Sequence, residues 1–402
     1  MKRTVTKLLL LMLVVGIGFS VLGCENKETS KPTEVVEEQK EDTENEEVVE
    51  ENNLGLIKES SMELDYAEHF KVDYYQGGYK IITDSSDREI LLVPEGKEVP
   101  ELDRKMLVLQ MPIDSVAISS TVDACWFRPI NSLDKITGVV HEEEKWDIEE
   151  MAQGLKEGNI TFMGSLSALD YEVIQGLNPD IFLLSASRME EISPKFEELD
   201  TKYLSMGAYL EDDPRGRLEW VKLAGALLDK EEEAFDYYNS EIDRVKEIVS
   251  KVQEENLEKP KVANVYFSGS KELFKVTHGK GHTPVTTELA GGIHYPENFH
   301  MEERGGSDMT NEEFYATMED VDILIYDKAS GHAVQNKEDL LRVAPFVEDL
   351  DVVKENRIYM IKDHYWQSAD KLGDIIESLH EIFSNPWGEV EETEYHIRID
   401  RG

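Results

Sequence analysis

Residues able to do chemistry fall in several short groups rather than in one motif. Cys125-Trp126-Phe127-Arg128 sets two aromatic faces beside a guanidinium. That set suits a flat anionic chelate, held by stacking and by bidentate carboxylate contact. The competing reading makes Trp126 and Phe127 one side of a core helix. His278-Gly279-Lys280-Gly281-His282 is a glycine-rich loop with two imidazoles, and His294, Tyr295 and His300 follow. Histidine and tyrosine ligate iron, zinc or haem. The spacing of His278 and His282 would suit a metal on a helix face, but the two glycines argue against a helix. Contact with an organic chelate, or plain solvent exposure, stays open beside metal coordination. His364-Tyr365-Trp366 offers a further aromatic wall, and Tyr326 ends an apolar run. Ser165 and Ser167 present hydroxyls to a ligand or else cap the next helix. Arg188, Arg215 and Arg217 are counter-charges for an anion, or surface partners for neighbouring acids.

Enzyme signatures are absent from the sequence. There is no Gly-x-Ser-x-Gly elbow, no His-Glu-x-x-His and no phosphate loop ending in Lys-Ser/Thr. Cys125 is read as a small buried residue rather than a nucleophile. With 85 acidic and 42 basic residues the formal charge is −43. Such a chain is excluded as a nucleic-acid binder and as a protein that adsorbs directly to anionic lipid.

Elements that would position these groups alternate between strand and helix. Lys71–Tyr75 and Tyr79–Thr83 flank Gly77-Gly78 as a hairpin, and Ile90–Val93, Leu107–Gln110, Val116–Ser119 and Ile136–Val140 read as strands. A glycine turn at Gly164, a helix to Leu177 and a strand from Ile181 follow. Between Arg217 and Asn256 all signals are helical: Phe235, Tyr238, Ile242, Val245, Val249 and Val252 recur at spacings of three and four. Alternation then resumes, with strands at Lys261–Phe267, Ile323–Tyr326 and Ile358–Ile361 and a closing helix from Leu372. The expected fold is α/β, with two Rossmann-like lobes, one long interdomain helix and a ligand cleft between the lobes. The expected divisions are a lobe over 54–215, a helical region over 216–259 and a second lobe over 260–402. In such sheets ligands sit beyond the carboxyl ends of the strands, which selects the loops carrying the groups above.

The start of the chain combines Lys2, Arg3 and Lys7 with an apolar stretch from Leu8 to Leu22. That is the pattern of an export signal. Val21-Leu22-Gly23-Cys24 resembles the lipobox of bacterial lipoproteins, which implies a signal over 1–23, cleavage before Cys24 and lipidation of its sulfur. Residues 25–53 are acid-rich and poor in large apolar side chains, so they cannot offset chain entropy by burial. Residues 24–53 are expected to form a lipidated, extended tether reaching roughly 30 Å. The only other cysteine is Cys125, so no intramolecular disulfide is expected.

Arg88–Pro94, Leu133–Val139, Gly164-Ser165 with Asp170-Tyr171-Glu172, and Leu177-Asn178-Pro179-Asp180-Ile181 carry a further resemblance. Glu288-Leu289-Ala290-Gly291-Gly292 and Val321–Tyr326 continue it in the second half. In this order the segments resemble the solute-binding proteins of iron-chelate and vitamin B12 ABC importers. The resemblance implies two lobes on a rigid helix and delivery of ligand to a permease driven by an ATPase. It also implies docking through an exposed glutamate on each lobe, for which Glu190, Glu191 and Glu338 are the candidates. The expected cargo is an iron chelate, with corrinoid, haem or a divalent metal (zinc or manganese) as alternatives. No resident cofactor is expected, and the protein is expected to be monomeric.

Overall fold

The computed structural model describes residue 52 and residues 54–102, 106–331, 334–387 and 390–399. The signal (1–23), Cys24 and nearly all of the acidic tether therefore lie outside the described residues. Among the described residues no helix is long and apolar enough to cross a membrane.

Strands β1 (Lys58–Ser61), β2 (Lys71–Tyr75), β3 (Tyr79–Thr83), β4 (Glu89–Val93) and β5 (Leu107–Gln110) form one sheet in sequence order. All neighbours are antiparallel except β4 and β5. The β2–β3 turn needs glycine, because Gly77 and Gly78 sit at φ +85° and +86°. These strands fall within the expected first lobe over 54–215 and form a sheet separate from the parallel one that follows.

The next sheet is the parallel one. β6 (Val116–Ile118), β7 (Ile136–Val139) and β8 (Thr161–Phe162) are followed by a small hairpin, β9 (Gly164–Ser165) with β10 (Ala168–Leu169). Then come β11 (Ile181–Ser185) and β12 (Tyr203–Met206), and the sheet runs β12-β11-β6-β7-β8. Every residue of β6 and β12 is buried, as expected of strands covered on both faces. Gly164 is required at its turn: its φ is +79°, and a Cβ there would lie 2.5 Å from the Ala168 carbonyl oxygen.

Helices Pro214–Leu218, Trp220–Leu228 and Glu231–Glu255 follow without an intervening strand. The last has 25 residues and is about 37 Å long. Tyr238, Ile242 and Val245 on its stripe are buried, whereas Phe235, Val249 and Val252 are partly covered. This helix packs on Trp220–Leu228 and on Leu372–Phe383, so it joins both lobes as the periodicity implies.

The second lobe holds a mixed sheet of β13 (Lys261–Ser268), β14 (Leu273–Thr277), β15 (Ile293–His294), β16 (Gly306–Met309), β17 (Ile323–Tyr326), β18 (Ile358–Ile361) and β19 (His396–Arg398). β13, β17 and β18 are parallel, while β14, β16 and β19 run antiparallel to their neighbours. The protein is thus an α/β molecule of two lobes with the long helix between their sheets in sequence. At Gly291-Gly292 the turn again requires glycine, with φ +94° at Gly291. A Cβ on Gly292 would lie 3.0 Å from each of Phe383, Thr287 and Val262.

Buried carboxylates fix the approach to the helical region. Glu219, fully buried, accepts from the backbone N–H groups of Asp65, Tyr66 and Ala67 at 2.7–2.9 Å and from Lys222 Nζ at 2.7 Å. Glu211 accepts from Trp220 Nε1 at 3.0 Å and from the N–H groups of Glu68 and His69. Burying a carboxylate costs least when its oxygens are hydrogen-bonded, and Glu219 accepts four bonds and Glu211 three.

Candidate ligand cleft

The segment after β18 is anchored across the lobes. Gln367 Oε1 accepts from Asp147 N at 2.9 Å, its Nε2 donates to Lys145 O at 2.8 Å, and Asp370 is paired with Arg128. Those ties hold Tyr365 and Trp366, which lie between β18 and Gln367, against a cleft of about 570 Å³. Val122, Tyr209, Leu210 and Arg217 contribute from the first half. Strands β13, β14 and β17 and the start of helix His282–Leu289 contribute from the second. Ile325, Asp327, Ile361, Tyr365 and Trp366 cluster at or just past the carboxyl ends of β17 and β18, where the sheet rule places a ligand.

The charge of this cleft is opposite to that of the chain. Arg217, Lys275, Lys280 and Arg304 line it, and Asp327 is the one acid among the lining residues. Asp212 accepts from Arg304 Nε at 2.6 Å and lies 3.6 Å from Lys280 Nζ, so two of the cations share one carboxylate. Among the described residues Arg217 has no acid within ion-pair distance, and its buried Nε has no hydrogen-bond partner. Its guanidinium lies 5.7 Å from the Trp366 ring centroid, within reach of a cation–π contact.

Asp123 is buried near Arg217. Burial pushes its pKa up to about 8, against the opposing effects of the Ser120 N–H and the Arg217 charge. Its Oδ2 has no partner. A neutral Asp123 leaves the Arg217 charge uncompensated. The imidazoles of the cleft are neutral as well: burial and then Arg217 hold His282 down to about 3, and burial holds His396 down to about 3. Burial raises the Tyr365 hydroxyl to about 12. The wall is therefore a set of neutral aromatic faces around fixed cations.

Of the residues singled out from sequence, His282, Tyr365 and Trp366 meet in this cleft. Arg217, open on sequence between a counter-charge for an anion and a partner of surface acids, also lines this cleft. The rest lie elsewhere. Trp126 and Phe127 are fully buried on the helical turn Ala124–Phe127, since its apolar residues pack against Trp220–Leu228 and the 363–368 turn. Arg128 belongs to an interlobe pair with Asp370. Tyr326 is buried, its hydroxyl donating to Gly331 O at 2.9 Å and accepting from Phe267 N. Ser165 and Ser167 are exposed and face one another at 3.2 Å, and the following helix is capped by Asp170 instead. Arg188 pairs with Glu191 at 2.8 Å. His364 faces Glu394 at 3.7 Å. Arg215 is held by Asp213. Glu190, Glu191 and Glu338 are exposed. Missed from the sequence were Tyr209, Lys275, Arg304 and Asp123; Lys275 and Asp123 sit on the short strand β14 and the Thr121–Asp123 turn, Tyr209 on the Ala208–Leu210 turn and Arg304 in the loop before β16, none with a pattern that marks it.

His278 is buried beside the cleft rather than in it. Its Nδ1 lies 3.2 Å from Glu303 O and its Nε2 lies 2.8 Å from Ser307 Oγ. Among the described residues, His278, His300 and Glu303 have donor atoms within 4.8 Å of one another.

A model of the periplasmic binding protein family matches residues 130–365, more than half of the chain. The chain belongs to that family. A lipoprotein of Methanocaldococcus jannaschii, itself uncharacterized, is 25% identical over 328 residues, covering 76% of this chain and 77% of its own. A second such lipoprotein from the same organism is 23% identical, covering 97% and 98%. Among solved structures, the periplasmic heme-binding protein RhuT of Roseiflexus sp. RS-1 superposes with a TM-score of 0.55 at 14% identity. It covers 69% of this chain and all of its own. The petrobactin-binding protein YclQ of Bacillus subtilis gives 0.53 at 12% identity, over 70% and 94% of the chains. These structures share the two-lobed periplasmic binding protein fold.

Proposed function

We propose that this periplasmic binding protein is the lipid-anchored, extracytoplasmic receptor of an ABC importer and that it captures an anionic iron chelate. One observation carries the choice of cargo. In a chain of charge −43, the cleft gathers four cations around Tyr365 and Trp366 and admits a single acid. A metal chelate with carboxylate or catecholate arms offers that surface its charge and its flat rings together. The heme-binding and petrobactin-binding names of similar structures support the same ligand class.

Cys24 supplies the anchor in this reading, with the acidic segment behind it as tether. A receptor that hands ligand to a permease gains from tethering, since effective concentration replaces diffusion. Exposed Glu190, Glu191 and Glu338 are the docking carboxylates, which steer association with a basic partner surface.

Tryptophan fluorescence titration with ferric catecholates, ferric hydroxamates, haem and cobalamin tests the cargo. Saturable quenching by a ferric chelate is expected, with Trp366 as the reporter. Saturation by none of the four ligand groups at micromolar concentration would overturn the cargo and leave the fold standing. Labelled palmitate incorporated into the wild-type chain and absent from Cys24→Ala tests the anchor.

A further inference from the structure

We propose that His278, His300 and Glu303 form a binding site for a divalent transition metal of the zinc class on the rim of the cleft. The donor set is two imidazoles and a carboxylate, a combination that binds zinc with a fourth position left to water. Their donor atoms already lie within 4.8 Å of one another. The rings of His278 and His300 have centroids 4.9 Å apart. With metal–nitrogen bonds of about 2.1 Å, two imidazoles on one tetrahedral ion have centroids roughly 5 Å apart.

The backbone holds these three donors in place before any ion arrives. His278 N donates to Gly305 O at 2.8 Å, Gly279 N to Phe299 O at 2.7 Å and Glu303 N to His300 O at 3.1 Å. His300 sits at φ +47°, a left-handed conformation that is strained for a residue with a side chain. That geometry turns its ring onto His278. The His300 nitrogens and the Glu303 carboxylate have no hydrogen-bond or ion-pair partner among the described residues, and both residues are exposed. His278 is the oriented member: coordination through one ring nitrogen replaces one of its two hydrogen bonds and keeps the other as a support.

Location gives the site a role. Lys280 and Arg304, the cleft cations that Asp212 holds, are bridged to each other as neighbouring backbone segments. His278 lies two residues before Lys280, and Glu303 one residue before Arg304. An ion at this site ties the two rim segments together from behind. It also adds positive charge at the edge of an anion-accepting cleft.

The test uses the full protein, stripped with EDTA and titrated with Zn²⁺ by equilibrium dialysis and with Co²⁺ by absorption. One ion per chain is expected, with visible Co²⁺ bands of tetrahedral intensity. His300→Asn, which tolerates the left-handed backbone, and Glu303→Gln are each expected to weaken Zn²⁺ at least about tenfold. Both side chains are exposed, so the melting temperature of each metal-free variant should match the wild type. No Zn²⁺ bound up to millimolar concentration overturns the proposal. So does Zn²⁺ held equally by wild type and both variants, as would occur if the acidic tether were the ligand. Neither outcome depends on which chelate the cleft takes.

Discussion

Asp123→Asn isolates the feature that keeps the cleft positive. The Asp123 carboxyl is buried, with Oδ2 unpartnered, and it ionises near 8 instead of 3.8. A raised acid pKa means that the folded state holds a proton which the unfolded chain has released. Between pH 3.8 and 8 stability therefore falls as pH rises, by about 1.4 kcal/mol per pH unit. From about pH 5 to about pH 8 that amounts to roughly 4 kcal/mol, an order-of-magnitude figure. A folded part of about 350 residues has an unfolding entropy of about 0.7 kcal/mol/K, so this corresponds to about 6 °C in melting temperature.

Asparagine is uncharged at every pH and keeps an acceptor for the Ser120 N–H. The melting temperature of Asp123→Asn relative to wild type should therefore rise by about 6 °C between pH 5 and pH 8. Differential scanning calorimetry at the two pH values reads this directly. A difference between the proteins that does not change with pH would refute the argument, because it would mean that Asp123 is ionised throughout. A negative Asp123 would then offset the Arg217 charge, and the cleft would lose one unit of net positive charge.

Other expectations follow from named contacts. Arg217→Met should weaken a ferric chelate probe by about 10- to 100-fold in Kd, the loss of charge-assisted bonds of 1.5–3 kcal/mol, with little change in melting temperature. Glu219→Ala should destabilise by about 3–5 kcal/mol, since Lys222 and three backbone N–H groups would stay buried without their acceptor. Urea titration measures that loss, and a change below about 1 kcal/mol would contradict the burial argument. Cys125, fully buried with its thiol pushed up to about 12 by burial and then by Asp370, should resist iodoacetamide until denaturant is added.

How much of the molecule was legible in its sequence depends on which physical scale wrote each feature. Local periodicity carried the architecture: Ile323–Tyr326, Ile358–Ile361 and Leu107–Gln110 fall where the apolar pattern puts them. β16 was not legible, because it pairs antiparallel with β14 across about 30 residues, an arrangement that its own short segment does not encode. The same distinction separates the site residues. Trp126-Phe127-Arg128 and His364-Tyr365-Trp366 look equivalent in sequence, each an aromatic group near a strand end. Their fates diverge over contacts that no local window contains. Residues 124–127 lie under the helix Trp220–Leu228, whereas Gln367 and Asp370 are clamped to Lys145, Asp147 and Arg128. That clamp lifts Tyr365 and Trp366 into the cleft. Arg217 inverts the logic of surface charge. In a chain with twice as many acids as bases, an arginine is expected to find a carboxylate. The nearby carboxyl, Asp123, is instead buried deeply enough to stay protonated. The unpaired cation is thus a product of burial next to it rather than of composition. It is the residue around which recognition of an anion is most economically built.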